Sequence, residues 1–161
     1  MASDRNPPAN GGSGDDDGLT VLYRTEFAGL LRLAYSMTSS ESVSEEIVQD
    51  AFVNLQSARV EVVNPAAYLR TSVVNACHSH HRHQAVIART PTPRPEDYVA
   101  ERDELFDAVA QLPWRQQAVL AMRFQLDLPE TDIAATLGCR PATVRSITAR
   151  ALATLRKALD R

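Results

Sequence analysis

A glycine and a proline three positions apart constrain the fold of this chain more than any other feature. Gly138 follows an apolar-periodic segment over about 130–137, and Pro141 begins a second one over about 141–159. Glycine accepts the left-handed backbone that ends a helix, and proline is favoured in the first helical turn, where its missing N–H has no partner. The spacing therefore predicts two helices joined by a tight turn, a helix-turn-helix.

The second of these helices is expected to have one buried face and one polar face. Val144, Ile147, Ala151 and Leu155 follow one another at steps of three and four residues, which places them on one side of a helix. The residues that then project outward are Ala142, Thr143, Arg145, Ser146, Ala149 and Arg150. Because arginine can bind guanine through two hydrogen bonds or clamp a phosphate, the pattern predicts a helix that enters the major groove of DNA.

The charge distribution agrees with this interpretation. The chain has a net charge of −3, yet residues 112–161 contain seven Arg and one Lys against four acidic residues. Positive charge is thus concentrated where phosphate contacts would need it. Because the basic surface is small overall, we expect weak binding to free DNA and a partner protein that supplies affinity.

The remaining chain predicts an all-α fold of two small helical domains joined by a flexible linker. Residues 1–18, rich in Gly and Asp, are expected to form a disordered acidic tail. The first domain is expected over 19–85, the linker over 86–100 around three alternating prolines, and the second domain over 101–161. Besides those of the helix-turn-helix, helices are expected at about 19–38, 43–57, 65–82, 97–110 and 113–125.

Local signals set two of these helix starts. Ser42 with Glu45 resembles a capping box. Asn64 followed by Pro65 combines an N-cap side chain with a proline in the first turn.

Several classes of protein are disfavoured. No apolar run approaches the ~18 residues of a membrane span, the first residues show no secretory signal pattern, and Cys77 and Cys139 form no CxxC pair. We therefore expect a reduced, cytoplasmic chain with no membrane insertion. No Gly-rich phosphate loop or carboxylate–histidine arrangement indicates catalysis, so neither an enzyme nor a cofactor is predicted.

Two blocks of sequence go beyond a generic DNA-binding unit. The block Ser44–Phe52 is similar to the acidic helix of region 2 of bacterial sigma factors, and Asn64–Leu69 with Asn75 is similar to the next helix of that region. The stretch Leu112–Leu159 resembles region 4. Together they resemble the extracytoplasmic-function group, group 4, of the sigma-70 family.

The resemblance implies a promoter-recognition subunit whose partners are core RNA polymerase and promoter DNA. Family members are often held by an anti-sigma protein between the two domains, so that is a third partner to consider. The residues implied in polymerase binding are Glu45, Glu46, Gln49, Asp50 and Phe52. Those implied in melting the minus-ten element, with a flipped base in the loop at about 57–64, are Tyr68, Arg70, Asn75, His78 and Arg82. Those implied in reading the minus-thirty-five element are Arg140, Ala142, Thr143, Arg145, Ser146, Ala149 and Arg150.

Other interpretations stay open at this point. The histidine-rich stretch 77–83 stands where the family has Arg and Lys, which allows a plain substitution, a pH-responsive DNA face, or a metal site on Cys77 and His81. A sigma-like protein with a weakened minus-ten side is a further option. A stand-alone helix-turn-helix regulator is the alternative function, although it would not need the acidic block. Trp114 and Phe124 are expected in the core, and Cys139 is expected to fill a small buried space.

Overall fold

A computed structural model describes residues 13–87 and 103–160, and their side chains from Asp17 onward. These residues form helices and contain no strand, which confirms the predicted all-α fold. The helices are α1 (Ser13–Thr38), α2 (Glu41–Ser57), α3 (Pro65–Ile87), α4 (Glu104–Ala110), α5 (Trp114–Leu120), α6 (Glu130–Leu137) and α7 (Pro141–Leu159), with a π-helical turn (Ala121–Gln125) directly after α5.

Helices α1, α2 and α3 pack as one unit. Each contributes a stripe of apolar residues at helical spacing, and the stripes meet in a common core. The buried residues of this unit include Leu30, Leu33, Ala34, Met37, Val48, Ala51, Phe52, Leu69, Val73, Val74 and Cys77. The apolar period of the sequence is therefore sufficient to explain which face of each helix turns inward.

Helix α1 begins earlier than predicted. It includes residues 13–18, so the expectation of a disordered tail is wrong for this stretch, while residues 1–12 lie outside the described part. Three aspartates, at 15–17, fall in the first turns of the helix.

The start of α2 also differs from the prediction. The N-cap is Ser40, whose Oγ accepts a hydrogen bond from the Val43 N–H at 3.4 Å, and not Ser42. Ser39 adopts a left-handed backbone with φ of 55°, which closes α1 and leaves Ser40 extended. An extended residue directly before the first helical turn is the N-cap geometry, so the turn at Ser39 determines where α2 begins.

The predicted start of α3 is confirmed, but its end is not. Asn64 Oδ1 accepts a hydrogen bond from the Ala67 N–H at 3.1 Å. The helix continues to Ile87, beyond the predicted end near 82 and into the first two residues of the predicted linker at 86–100. The rest of that linker lies outside the described residues. Residues 97–102, the start of the helix expected over 97–110, also lie outside them. Asp103 caps the part that is described, α4, through the Leu105 N–H at 3.1 Å.

A buried glutamine joins α4 to α5 in the second unit. Gln117 is 2 % exposed. Its Nε2 donates to the carbonyl oxygens of Val109 and Ala110, at 3.0 and 3.1 Å. Those carbonyls belong to the last turn of α4, where the regular helical donors run out. The Val109 carbonyl also accepts from the Leu112 N–H at 3.0 Å, so the amide of Gln117 adds a second donor there and supplies one to Ala110.

The helix predicted over 113–125 changes its hydrogen bonding part of the way along. After Leu120 the backbone widens, and the Leu126 N–H donates to the Ala121 carbonyl at 3.2 Å, five residues back. Such π-helical turns are rare and often occur at functional positions. Here the turn ends at Gln125, whose side chain contacts the first unit.

The two units are packed against each other. Buried residues of α5, the π-helical turn and α6, including Val119, Met122 and Ile133, belong to the same apolar cluster as the core of α1–α3. The approach is close at Gly29 of α1, where an added Cβ would lie 2.9 Å from Leu126 Cδ2. We call this the closed arrangement.

Replacing Gln117 by Leu should destabilise the protein although the volume of the side chain is nearly kept. The Ala110 carbonyl would lose the Gln117 donor in a buried place, which costs about 1–3 kcal/mol, whereas the Val109 carbonyl would keep its hydrogen bond from the Leu112 N–H. Urea unfolding followed by circular dichroism measures this loss as a lower midpoint. The control is Gln111→Leu, since Gln111 is exposed. Equal midpoints for the two variants would contradict the role assigned to Gln117.

Candidate nucleic-acid interface

The turn between α6 and α7 has the geometry that the sequence predicted. Gly138 adopts the left-handed conformation, with φ of 64° and ψ of 39°. The Cys139 N–H donates to the Ala134 carbonyl at 3.0 Å, which closes α6. Pro141 stands in the first turn of α7. Cys139 itself is half-buried against the core, consistent with its predicted role as a filler.

Helix α7 separates its two faces as predicted. Val144, Ile147, Ala151 and Leu155 are buried. The seven residues assigned to minus-thirty-five reading are all exposed: Arg140, Ala142, Thr143, Arg145, Ser146, Ala149 and Arg150. The first turns of α7 therefore present a surface of hydroxyls and guanidinium groups that a DNA groove could reach, even in the closed arrangement.

Some of these side chains already have partners within the chain. Arg145 Nη1 donates to Glu130 Oε2 at 3.1 Å, and this ion pair joins α7 to the first residue of α6. Ser146 Oγ donates to the Ala142 carbonyl at 3.2 Å, and Arg150 Nε donates to the Ser146 carbonyl at 3.4 Å. The orientation of Arg145 is thus set by a second helix, whereas the hydrogen bonds of Ser146 and Arg150 among the described residues lie within α7.

The acidic face of α2 is exposed, with one exception. Glu45, Glu46, Gln49 and Asp50 are all exposed to solvent. Phe52, which was grouped with them, is 6 % exposed, and its ring lies 5.0 Å from that of Tyr23. Residue 52 continues the buried stripe of Val48 and Ala51 at helical spacing, so we correct its assignment from surface contact to core residue.

The residues assigned to the minus-ten element do not all share one side of α3. Helical spacing places Tyr68, Asn75, His78 and Arg82 on the same side. Arg70 lies on another side of the helix, within the arc of the buried stripe, and is half-buried. Its Nε is buried without a hydrogen-bond partner among the described residues.

His78 is occupied by a contact between the two units. Its ring stacks on that of Trp114 with centroids 4.1 Å apart and an interplanar angle of 25°. His78 Nδ1 is buried with no hydrogen-bond partner among the described residues. In the closed arrangement the second unit therefore covers one of the residues assigned to DNA melting.

Two further contacts hold the same interface. The rings of Tyr35 and Phe106 stack with centroids 5.3 Å apart. Ser36 Oγ donates to Gln125 Oε1 at 3.1 Å. No sequence pattern indicated these pairs, because their members lie far apart along the chain. The expectation that Phe124 lies in the core is wrong, since it is 62 % exposed, whereas Trp114 is half-buried against the core.

The histidine-rich end of α3 shows little sign of a metal site. Burial raises the pKa of the Cys77 thiol to about 12, so without a bound metal the thiol remains protonated near pH 7. The pKa of His80 is lowered, first by burial and then by the neighbouring charges of His81 and His83. Within the part of the chain that the structure describes, no three His, Cys, Asp or Glu residues converge as metal ligands.

Comparison with protein families assigns both units. Residues 22–86 match the family model for Sigma-70 region 2, and residues 102–155 match the model for Sigma-70, region 4. No curated protein is similar enough to count as a match. Among the described residues, no helix is long and apolar enough to cross a membrane.

Solved structures of sigma factors have the same fold. The chain is similar to RpoE from Bartonella quintana, solved with the anti-sigma factor NepR: 22 % identity, a TM-score of 0.64, and coverage of 88 % of this chain and 98 % of that one. It is also similar to CnrH, solved with the cytosolic domain of CnrY: 21 % identity, a TM-score of 0.71, and coverage of 92 % and 91 %. At these identities the likeness concerns the fold.

Trp114 is the one tryptophan of the chain, so its fluorescence reports directly on the interface. We expect His78→Ala to shift the emission to longer wavelength and to increase quenching by acrylamide, because the indole loses the ring stacked on it. The control is His83→Ala, which changes an exposed histidine of the same helix. Identical spectra for both variants would show that His78 does not cover Trp114.

Proposed function

Since this chain belongs to the extracytoplasmic-function group of the sigma-70 family, we propose that its exposed surfaces divide the work of an RNA polymerase sigma factor at promoter DNA. The observation that carries the proposal is the exposure of all seven reading residues, six on one face of α7 and Arg140 at its N-cap, within the region 4 match. That face would enter the major groove at the minus-thirty-five element.

Polymerase docking is assigned to the exposed part of the acidic face of α2, that is Glu45, Glu46, Gln49 and Asp50. A cluster of carboxylates suits a basic partner surface, on which complementary charge raises both the encounter rate and the specificity. The partner surface would be the clamp helices of the largest catalytic subunit. Core polymerase would also compensate for the small basic surface of the chain when it binds DNA.

Minus-ten melting is assigned to α3 and the loop before it. Tyr68, Asn75, His78 and Arg82 share one side of α3, and we leave Arg70 out of this contact surface. In the loop, Val60 and Val63 are 77 % and 98 % exposed. Apolar side chains exposed beside a polar helix face offer a place for an unstacked base, whose removal from the duplex costs a few kcal/mol.

Binding both promoter elements at once requires the closed arrangement to open. Elements centred about 25 base pairs apart lie roughly 85 Å apart along B-form DNA, at ~3.4 Å per step. Regions 2 and 4 are in direct contact in the closed arrangement. The backbone between Ile87 and Asp103 can extend to roughly 55 Å, so the two regions can separate widely once the interface is broken.

An anti-sigma protein is the partner that we propose for the closed arrangement. Both solved relatives were captured with a bound protein, the anti-sigma factor NepR in one and the cytosolic domain of CnrY in the other. A partner that contacts both regions at the same time would stabilise the closed arrangement by its differential affinity. We place the protein in the cytoplasm with its polymerase, and assign it no catalysis and no cofactor of its own.

The stand-alone regulator is not favoured as an alternative. Such a regulator needs a helix-turn-helix, which the region 4 match supplies. It has no use for a second domain, yet residues 22–86 match region 2. The acidic face of α2 is therefore the surface that distinguishes the two functions by experiment.

The double variant Glu45→Ala/Gln49→Ala should lose most of its binding to purified core RNA polymerase, because two exposed residues of the docking face are removed. The change in affinity can be measured by pull-down and by fluorescence anisotropy of a labelled chain. We expect at least about a tenfold loss, the effect of roughly 1.4 kcal/mol.

The matched control is Glu61→Ala/Gln84→Ala, which removes the same side-chain types from exposed positions of the same region. It should bind core polymerase like the unmodified chain. An unmodified chain that shifts duplex DNA but does not bind core polymerase from its own host would contradict the proposed function.

A further inference from the structure

One ion pair joins oppositely charged side chains within 4 Å in the described part of the chain, and it lies on the DNA-reading surface. It connects Arg145 Nη1 of α7 to Glu130 Oε2 of α6. The chain has 17 basic and 20 acidic residues, so charged partners are plentiful. The location of this pair therefore calls for an explanation in terms of the reading surface.

Stability does not explain the pair. The side chain of Arg145 is 63 % exposed and that of Glu130 is 30 % exposed. Ion pairs at such exposure contribute little to folding, because solvent screens them and two long side chains must be held in place. The carboxylate has a second reason to stay where it is, since Glu130 is the first residue of α6 and negative charge is favoured at a helix N-terminus.

The geometry leaves Arg145 able to read a base. A guanidinium group has five N–H donors in a planar fork, and the described contact uses one nitrogen, Nη1. Thr143 and Ser146 are exposed on the same turns of α7, so Arg145 lies within the reading face. Glu130 lies on α6, the first helix of the helix-turn-helix. The position of the Arg145 guanidinium is therefore restricted by a residue of a neighbouring helix.

We propose that Glu130 is a positioning residue that sets the sequence specificity of region 4 by holding the guanidinium of Arg145 for a base edge. This inference rests on the proposed function of α7. A guanidinium that is held in place can form the bidentate contact to guanine O6 and N7. The nearby carboxylate also reduces the attraction of Arg145 to phosphates, which carry no direct sequence information. Glu130 thereby favours base contacts over phosphate contacts.

The test uses holoenzyme reconstituted from the full chain and core RNA polymerase. A pool of duplexes with a randomised upstream element first yields the preferred sequence. Affinity is then measured for that duplex and for a scrambled one, over a range of salt concentrations. The compared proteins are the unmodified chain, Glu130→Gln and Asp132→Asn. The second variant removes an equal charge from an exposed position of the same helix.

With Glu130→Gln we expect the ratio of preferred to scrambled affinity to fall by roughly five- to tenfold, within the range of one bidentate base contact. Binding to the scrambled duplex should strengthen, and its salt dependence should steepen towards one more phosphate contact, about 0.9 in the log–log slope. Asp132→Asn should leave the ratio unchanged. In an Arg145→Ala background, Glu130→Gln should have no further effect on the ratio.

Two results would overturn the inference, and they differ from each other. If Glu130→Gln behaves like Asp132→Asn, or still changes the ratio when Arg145 is Ala, Glu130 does not act through Arg145, while the sigma function stands. If the unmodified holoenzyme selects no upstream sequence at all, the proposed reading by α7 fails, and the role of Glu130 fails with it.

Discussion

The contact on which the rest of the structure depends is the burial of α5 and its π-helical turn in the core shared with the first unit. Val119 and Met122 are fully buried in the same cluster as Leu30 and Leu33. Burying an apolar side chain of this kind stabilises a protein by about 1.5–3 kcal/mol. The stacked rings and the Ser36–Gln125 hydrogen bond lie at the edge of this contact and depend on it, because they form only when the two units are close.

If promoter binding requires the two units to separate, as we propose, this shared core is an energetic barrier to it. If only a minor conformation of a protein can bind the target, the apparent affinity is reduced in proportion to the fraction of molecules in that conformation. A ligand shifts such an equilibrium only through its differential affinity for the two states. Core polymerase, which would engage regions 2 and 4 at separate places, is suited to supply that difference, and a partner that spans both regions would oppose it.

Local sequence patterns predicted the helices but did not predict the contacts between different helices. The helix-turn-helix could be read from Gly138, Pro141 and the apolar period, since each acts within a few residues. The apolar period also explains the burial of Phe52, which was assigned to the surface on the strength of the family motif. The stacking of His78 on Trp114 and the pairing of Arg145 with Glu130 join different helices. Such pairs depend on how helices pack, which no single periodic segment encodes.

In the closed arrangement the two proposed DNA-contacting surfaces are not equally accessible, and this suggests an order of events. The reading residues of α7 are exposed while the two units are in contact, whereas His78 on the minus-ten side is covered by Trp114. Duplex DNA could therefore meet the minus-thirty-five reader without any rearrangement. Melting would need the interface to separate first. A factor built in this way would couple strand opening, more than initial promoter contact, to the conformational change that polymerase brings about.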